Sequence, residues 1–354
     1  MLRASDLMMR SHFCLTIFAR AARLGGALAL FCLAVAAQQA QAQGPGDEDI
    51  VRVDSSLVQL NIGVADRQGR PITDLSRNDF TIYEDGVRQT IIDFEPTQTP
   101  FSVVLLLDMS GSTLNFRQTL KQTALRFIDA LGPADRICVI AFNDRIETLA
   151  GFTTNREKIA YAISIAGGRG ETRLYDALEV ALKHLASEGK RRKAIVVLTD
   201  GMDTKMRNLD RAAAAAARTN EEAVAAIKPE ASAELIAALD AADRQGVTIY
   251  PLALPSGDPK RIAMPTPVQV AIYTAARARI QMLADRTGGR LSEIERLDQL
   301  GRIYAEVAAE MRTLYSVTYQ PTGGRQRDGR WRSIRIEVAR PDLIARTRPG
   351  YYAR

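Results

Sequence analysis

Histidine and cysteine are scarce in this sequence. Of its 354 residues, only His12 and His184 are histidine, and only Cys14, Cys32 and Cys138 are cysteine. Zinc fingers, iron–sulfur clusters and histidine-rich metal centres need several such ligands. The composition therefore excludes them as the main functional site of the protein. A hydrolase with a Ser-His-Asp triad would have to use His184, because it is the only histidine after residue 42.

Strong charge of one sign is also absent. The formal net charge is +6 at pH 7, and the first 42 residues contribute +3 of it. Beyond that segment no run of five or more basic residues occurs. The densest cluster, Lys190-Arg191-Arg192-Lys193, directly precedes an apolar run. This distribution argues against nucleic acid as a partner.

The N-terminus has the features of an export signal. A polar stretch with four arginines precedes an apolar stretch at residues 24–37, and Ala40-Gln41-Ala42 offers small residues for cleavage. The apolar stretch is short for a membrane-spanning helix. We therefore predict that residues 1–42 are a signal peptide and that the protein is exported, to the periplasm or outside the cell. The alternative is an uncleaved anchor, which is the only membrane attachment that we expect.

Both ends of the remaining chain predict short β-strands. Apolar and polar side chains alternate in residues 43–98 and again in residues 313–354. Each segment is short for an independent core, at ~45 residues. Because the termini of a domain commonly lie close together, we expect the two segments to pack as one small β-sandwich.

The middle of the chain, residues 99–312, predicts an α/β domain. Continuous apolar runs, typical of strands buried on both faces, occur at residues 103–107, 137–142, 194–198 and 247–252. Helical patterns lie between them, which predicts a doubly wound, mostly parallel sheet with helices on both faces. The functional crevice of such a sheet lies at the carboxyl ends of its strands. Residues 203–246 hold more helix than one crossover needs, and form either an exposed crossover or a docking arm or lid.

Oxygen-bearing side chains follow three of these elements. Asp108-Met109-Ser110-Gly111-Ser112 comes directly after the first apolar run, Asp200 ends another, and Thr172 precedes a predicted helix. Hydroxyl and carboxylate oxygens are hard ligands, which suit Mg²⁺ or Mn²⁺ rather than zinc or copper. The sequence therefore predicts a cation site at this edge of the sheet.

These motifs resemble those of von Willebrand factor type A domains. Residues 108–112 match the family's DxSxS motif, Thr172 resembles its metal-site threonine, and Asp200 in Val196-Val197-Leu198-Thr199-Asp200-Gly201 resembles its distal aspartate. Two flanking stretches, residues 78–86 and 330–336, are similar to those of the bacterial "VWFA-related" proteins. The resemblance covers roughly residues 100–312 and implies a Rossmann-like fold.

The resemblance further implies a metal-ion-dependent adhesion site. Ser110, Ser112 and Thr172 would ligate Mg²⁺, with Mn²⁺ or Ca²⁺ as alternatives, while Asp108 and Asp200 would act through water and balance the charge. An open coordination position would accept an Asp or Glu carboxylate from a partner protein. The resemblance thus implies a binding module and not an enzyme.

Other interpretations of these residues stay open from the sequence alone. The two serines would also suit a helix N-cap, Asp200 a strand-ending turn, and Glu171 could replace Thr172 as a ligand. Hydrolases of the haloacid dehalogenase type also place an aspartate after a buried strand. They need a second aspartate where this chain has Ser110. A third alternative is a structural scaffold whose metal site is non-functional.

Overall fold

The computed structural model describes residues 57–97, 99–189, 191–322 and 328–353. The predicted signal peptide and residues 43–56 lie outside them. The strands of the described residues are β1 (Val58–Ala65), β2 (Phe80–Glu84), β3 (Val87–Glu95), β4 (Phe101–Asp108), β5 (Arg136–Phe142), β6 (Ile146–Thr153), β7 (Arg192–Thr199), β8 (Val247–Ala253), β9 (Ser292–Glu293), β10 (Leu314–Gln320), β11 (Trp331–Val338), β12 (Ile344–Arg346) and β13 (Gly350–Tyr352).

Helices connect most of the central strands. The α-helices are α1 (Arg117–Ala130), α2 (Arg156–Ile165), α3 (Leu174–Ala186), α4 (Thr204–Ala213), α5 (Asn220–Ala226), α6 (Ala233–Gln245), α7 (Pro267–Thr287) and α8 (Leu300–Arg312). Short 3₁₀ helices occur at Arg77–Asp79, Gly111–Phe116, Pro229–Ala231, Pro259–Arg261 and Leu297–Gln299. Within the described ranges, every helix is too short or too polar to cross a bilayer.

The central sheet has six strands in the order β6-β5-β4-β7-β8-β9. Strands β4, β5, β7, β8 and β9 pair in parallel, and β6 pairs antiparallel with β5 at one edge. Every residue of β4, β7 and β8 is buried, because helices cover both faces of the sheet. The predicted α/β fold is confirmed. The edge strand β6 was not predicted.

Alternate residues of β4 enter two separate hydrophobic cores. Val103, Leu105 and Leu107 pack with α1, α2 and α8 on one face. Val104 and Leu106 pack with α3, α6 and α7 on the other. This two-sided burial fixes the end of β4, and with it the position of the loop that follows.

The two β flanks form one antiparallel sheet, in the order β12-β1-β10-β3-β2-β11-β13. The predicted association of the flanks is confirmed, but they do not form two separate layers. Strands of both flanks share a single hydrogen-bonded sheet, in which the C-terminal strand β10 lies between the N-terminal strands β1 and β3. The sheet rolls into a half-barrel, so that Phe80 of β2 meets Tyr315 of β10 with ring centroids 5.2 Å apart.

Residues 203–246 cross from β7 to β8 through three helices. Ala214, Ala223 and Ile227 pack against Ala271 and Ala275 of α7. A buried bidentate ion pair of 2.7 Å joins Asp210 of α4 to Arg279 of α7. These contacts hold the segment against α7, as expected of a crossover rather than of a projecting arm.

Candidate metal-binding site

Asp108 is the last residue of β4, and its side chain is completely buried. Its Oδ1 accepts a hydrogen bond of 3.0 Å from the backbone N–H of Ser110. Its Oδ2 accepts one of 2.8 Å from the hydroxyl of Thr199, the last residue of the neighbouring strand β7. Both carboxylate oxygens are thus held in place, one by the following loop and one by the adjacent strand.

Ser110 and Ser112 lie in the loop after β4, with their hydroxyl oxygens 3.1 Å apart. Ser110 is buried and Ser112 is exposed. The 3₁₀ helix Gly111–Phe116 begins here, but the side chain of Ser110 makes no capping hydrogen bond to it. Ser110 therefore occupies the N-cap position of this helix through its backbone only, and its hydroxyl faces Ser112.

Asp200 follows β7 and is also buried. Its Oδ1 accepts a hydrogen bond of 3.0 Å from the backbone N–H of Met202. Its carbonyl oxygen accepts one of 2.8 Å from Nη1 of Arg277 on α7. The residue does form a strand-ending turn, and the Ser112 hydroxyl is close enough to lower the pKa of its carboxylate.

Thr172 is buried in the loop before α3, and its backbone is clamped by Thr204. Its N–H donates a 3.0 Å hydrogen bond to the Thr204 hydroxyl, and its carbonyl accepts a 2.9 Å bond from the Thr204 N–H. Among the described residues the Thr172 hydroxyl has no hydrogen-bond partner. The neighbouring Glu171 is exposed.

The loop of Thr172 also contacts the loop of the two serines. The backbone N–H of Gly111 donates a hydrogen bond of 3.2 Å to the carbonyl of Gly170. Gly168 packs so tightly that a Cβ there would lie 1.6 Å from Nδ2 of Asn143 and 3.0 Å from the Met109 carbonyl oxygen. A larger residue at this position would therefore require the Asn143 side chain to move.

Two buried carboxylates at one place are electrostatically unfavourable. Burial, and then the charge of Asp200, raise the pKa of Asp108 to about 7. Burial also raises the pKa of Asp200, against the opposing effects of its hydrogen bonds and of Arg277 and Arg207. Such a pair stays ionised at neutral pH only with additional positive charge close by.

The donor set fits a hard divalent cation. The predicted residues supply two carboxylates and three hydroxyls, all of them oxygen donors. No cluster of three or more His, Cys, Asp or Glu side chains suited to a metal occurs in the described part of the chain. A cation site here therefore needs the hydroxyls as ligands. The two buried carboxylates, in turn, need a positive charge close by to stay ionised.

Several residues that support this arrangement were not predicted from the sequence. Thr199 donates a hydrogen bond to the Asp108 carboxylate, and the Thr204 hydroxyl accepts one from the Thr172 N–H. Arg277 donates a hydrogen bond to the Asp200 carbonyl. Nη2 of Arg117 binds the carbonyls of Met109 and Ser110 at 2.7 and 3.2 Å. Because Thr199 directly precedes Asp200 in the sequence, a role for it at the site could have been predicted. No local signal points to the other three residues.

Comparison with known proteins agrees with the fold. Residues 103–202, which run from β4 to just past Asp200, match the family described as von Willebrand factor type A domain. This part of the chain is therefore similar to a type A domain. The match spans the loop of the two serines, Thr172 and both aspartates. No curated protein matches the sequence at a significant level.

Solved structures with similar folds include type A domains from distant sources. A von Willebrand factor type A protein from Catenulispora acidiphila is 12% identical, with 85% of this chain and 74% of that chain covered and a TM-score of 0.45. The vWF domain of the type V pilus tip protein Mfa5 from Porphyromonas gingivalis is 13% identical, with 60% and 95% covered and a TM-score of 0.44. Proximal thread matrix protein 1 from the mussel byssus, with a zinc-occupied MIDAS motif, is 16% identical, with 62% and 47% covered and a TM-score of 0.41.

Proposed function

We propose that this protein is an exported module that binds a partner protein through a divalent cation. One observation carries the proposal. Two buried carboxylates, Asp108 and Asp200, lie together with serine hydroxyls at the carboxyl edge of the parallel sheet. Open α/β sheets bind ligands at this edge.

Ser110, Ser112 and Thr172 would hold the cation through their hydroxyls. Asp108 and Asp200 would balance its charge, mostly through bridging water. We favour Mg²⁺, with Mn²⁺ or Ca²⁺ as alternatives, because all the donors are oxygen. A cation with few direct anionic ligands supplies an electrophilic position that accepts an Asp or Glu carboxylate from the partner.

The same residues support binding rather than catalysis. The position two residues after Asp108, where a phosphoryl-transfer hydrolase would need an acid/base aspartate, is Ser110, whose hydroxyl faces Ser112. His184 lies in the last turn of α3 beside the Thr148 hydroxyl, at 3.1 Å. It is ten residues along the helix from Leu174, or about 15 Å from the end that faces the site.

Export follows from the predicted signal peptide, residues 1–42. The partner would therefore be met in the periplasm or outside the cell. We expect no nucleic acid among the partners, and membrane attachment only if the signal stays uncleaved.

Manganese offers a direct test, because water bound to Mn²⁺ relaxes rapidly. Residues 43–354 are loaded with Mn²⁺, and a peptide with blocked termini and a glutamate as its one charged side chain is added while water proton relaxation is recorded. The proposal predicts a saturable fall in relaxivity, as the peptide carboxylate replaces bound water. The matched peptide with glutamine should have no effect. An unchanged relaxivity at millimolar glutamate peptide would contradict the proposal.

A further inference from the structure

Two arginines flank the loop that carries the serine hydroxyls. The guanidinium of Arg117 lies against this loop, where it binds the carbonyls of Met109 and Ser110. Arg169 is exposed on the glycine-rich turn, and the next residue, Gly170, accepts the N–H of Gly111. Both arginines therefore lie next to the loop that carries the two serines.

The positive charges of this pair are not neutralised by ion pairs. Among the described residues neither arginine has a carboxylate within 4 Å, and Nε of Arg117 is buried without a hydrogen-bond partner. Burial lowers the pKa of Arg117, and the nearby charge of Arg169 lowers it further. Asp144 and Glu171 are exposed on the adjoining loops but form no ion pair with either arginine.

Two other basic residues near this edge are paired with carboxylates. Arg173, four residues after Arg169, forms a 2.7 Å ion pair with Asp176. Lys205 forms a 2.5 Å ion pair with Glu234. The arginine pair, Arg117 and Arg169, instead keeps a positive charge that no carboxylate of the described residues within 4 Å neutralises, and this charge can attract an external anion.

We propose that the arginine pair binds a second carboxylate of the same partner, beside the one held at the metal site. The partner's binding segment would then be an acidic peptide with two acidic residues close in sequence. This inference rests on the proposed function and specifies the kind of partner. It also gives a role to the glycine-rich turn at residues 167–170, which lacks the following lysine of a phosphate-binding loop.

The chemistry of the two sites suits a short extended segment. Guanidinium groups bind carboxylates through paired, charge-assisted hydrogen bonds. In an extended peptide, side chains two residues apart point the same way and lie about 7 Å apart. A Glu-x-Glu sequence can thus place one carboxylate at the hydroxyl cluster and the other beside Arg169.

Fluorescence anisotropy with two labelled peptides tests the inference. Both peptides have the same neutral sequence, and one carries Glu-x-Glu where the other carries Glu-x-Gln. In 1 mM Mg²⁺ we expect the two-glutamate peptide to bind wild-type residues 43–354 about five- to tenfold more tightly. Arg169→Gln should reduce that preference to less than twofold. The preference should also shrink in 0.5 M salt, since the contact is partly exposed.

Arg173→Gln is the matched control, because it removes an equal charge from the same loop. It should keep the preference. Equal binding of the two peptides to the wild type, or an undiminished preference in Arg169→Gln, would overturn the inference. Titration of Mg²⁺ into Arg169→Gln separates this failure from that of the proposed function, since metal binding should be unchanged there.

Discussion

The hydroxyl of Thr199 donates a hydrogen bond of 2.8 Å to Oδ2 of Asp108. The bond joins the ends of β7 and β4 at the place where the two buried carboxylates lie. Thr199 itself accepts a 3.1 Å hydrogen bond from the N–H of Gly201, so one hydroxyl links Asp108 to the turn that carries Asp200. The two acidic positions are therefore held as one unit.

Thr199→Val should weaken the binding of Mg²⁺ about 10- to 100-fold, because residues that orient metal ligands commonly contribute that much. Loss of the buried hydroxyl should also lower the free energy of unfolding by about 1–3 kcal/mol. Calorimetric titration and thermal unfolding measure the two effects. Thr199→Ser keeps the hydroxyl and should bind Mg²⁺ nearly as the wild type does. Equal affinity in the valine variant would show that this hydrogen bond does not orient the site.

Thr172→Val should weaken Mg²⁺ binding strongly, whereas Glu171→Gln should leave it within twofold. Thr172 is buried and its hydroxyl has no hydrogen-bond partner within the described part of the chain, whereas Glu171 is exposed. The backbone clamp from Thr204 uses only the N–H and carbonyl of Thr172, so the valine variant should keep the loop in place. The opposite ranking of the two variants in a titration would assign the ligand to Glu171.

The metal-free protein should be less stable at alkaline pH than its Asp108→Asn variant. The pKa of Asp108 is about 7 in the fold, against 3.8 for an ordinary aspartate. A group whose pKa is raised by folding contributes stability below the lower value and loses it as the pH rises towards the higher one. Between pH 5 and pH 8 the asparagine variant should therefore gain roughly 2–3 kcal/mol relative to the wild type.

Thermal unfolding of both proteins in EDTA measures this difference. Saturating Mg²⁺ should remove the disadvantage of the wild type, because the cation compensates the buried charges. If the stability of the wild type changed with pH in parallel with that of the variant, folding would not raise the pKa of Asp108 in the metal-free protein.

Tyr319→Phe should destabilise the half-barrel without changing Mg²⁺ binding. The hydroxyls of Tyr319 and Tyr351 both donate to Oε2 of the buried Glu84, at 2.5 and 2.9 Å. Removal of one donor should lower the free energy of unfolding by about 1–3 kcal/mol. Tyr83→Phe is the control, since its hydroxyl bonds an exposed Glu337. Equal denaturation midpoints for the two variants would contradict this account of the half-barrel.

The parts of the fold that follow local patterns could be predicted from the sequence. Continuous apolar runs mark β4, β5, β7 and β8 because these strands are buried on both faces. Strand β6 lies at an edge and is only partly buried, so its side chains lack a clear pattern. The single rolled sheet was missed because the alternation of apolar residues shows which face is buried and does not show how strands are ordered.

Part of the candidate site could likewise be predicted from the sequence, and part could not. Asp108 and Asp200 stand out because each follows an apolar run, so their positions at the sheet edge could be predicted. The contacts that support them join distant parts of the chain. Arg277, for example, lies 77 residues from the carbonyl that it binds. Such contacts depend on the packing of α7 and leave no mark on the local sequence.

Calorimetric titration of Mg²⁺ into chelator-treated residues 43–354 tests the central claim most directly. The account predicts one saturable site in the wild type and none in Asp108→Asn. Asp129→Asn, which changes an exposed aspartate of α1, should bind as the wild type does. Absence of binding in the wild type, or equal binding in Asp108→Asn, would contradict a cation site at Asp108 and Asp200.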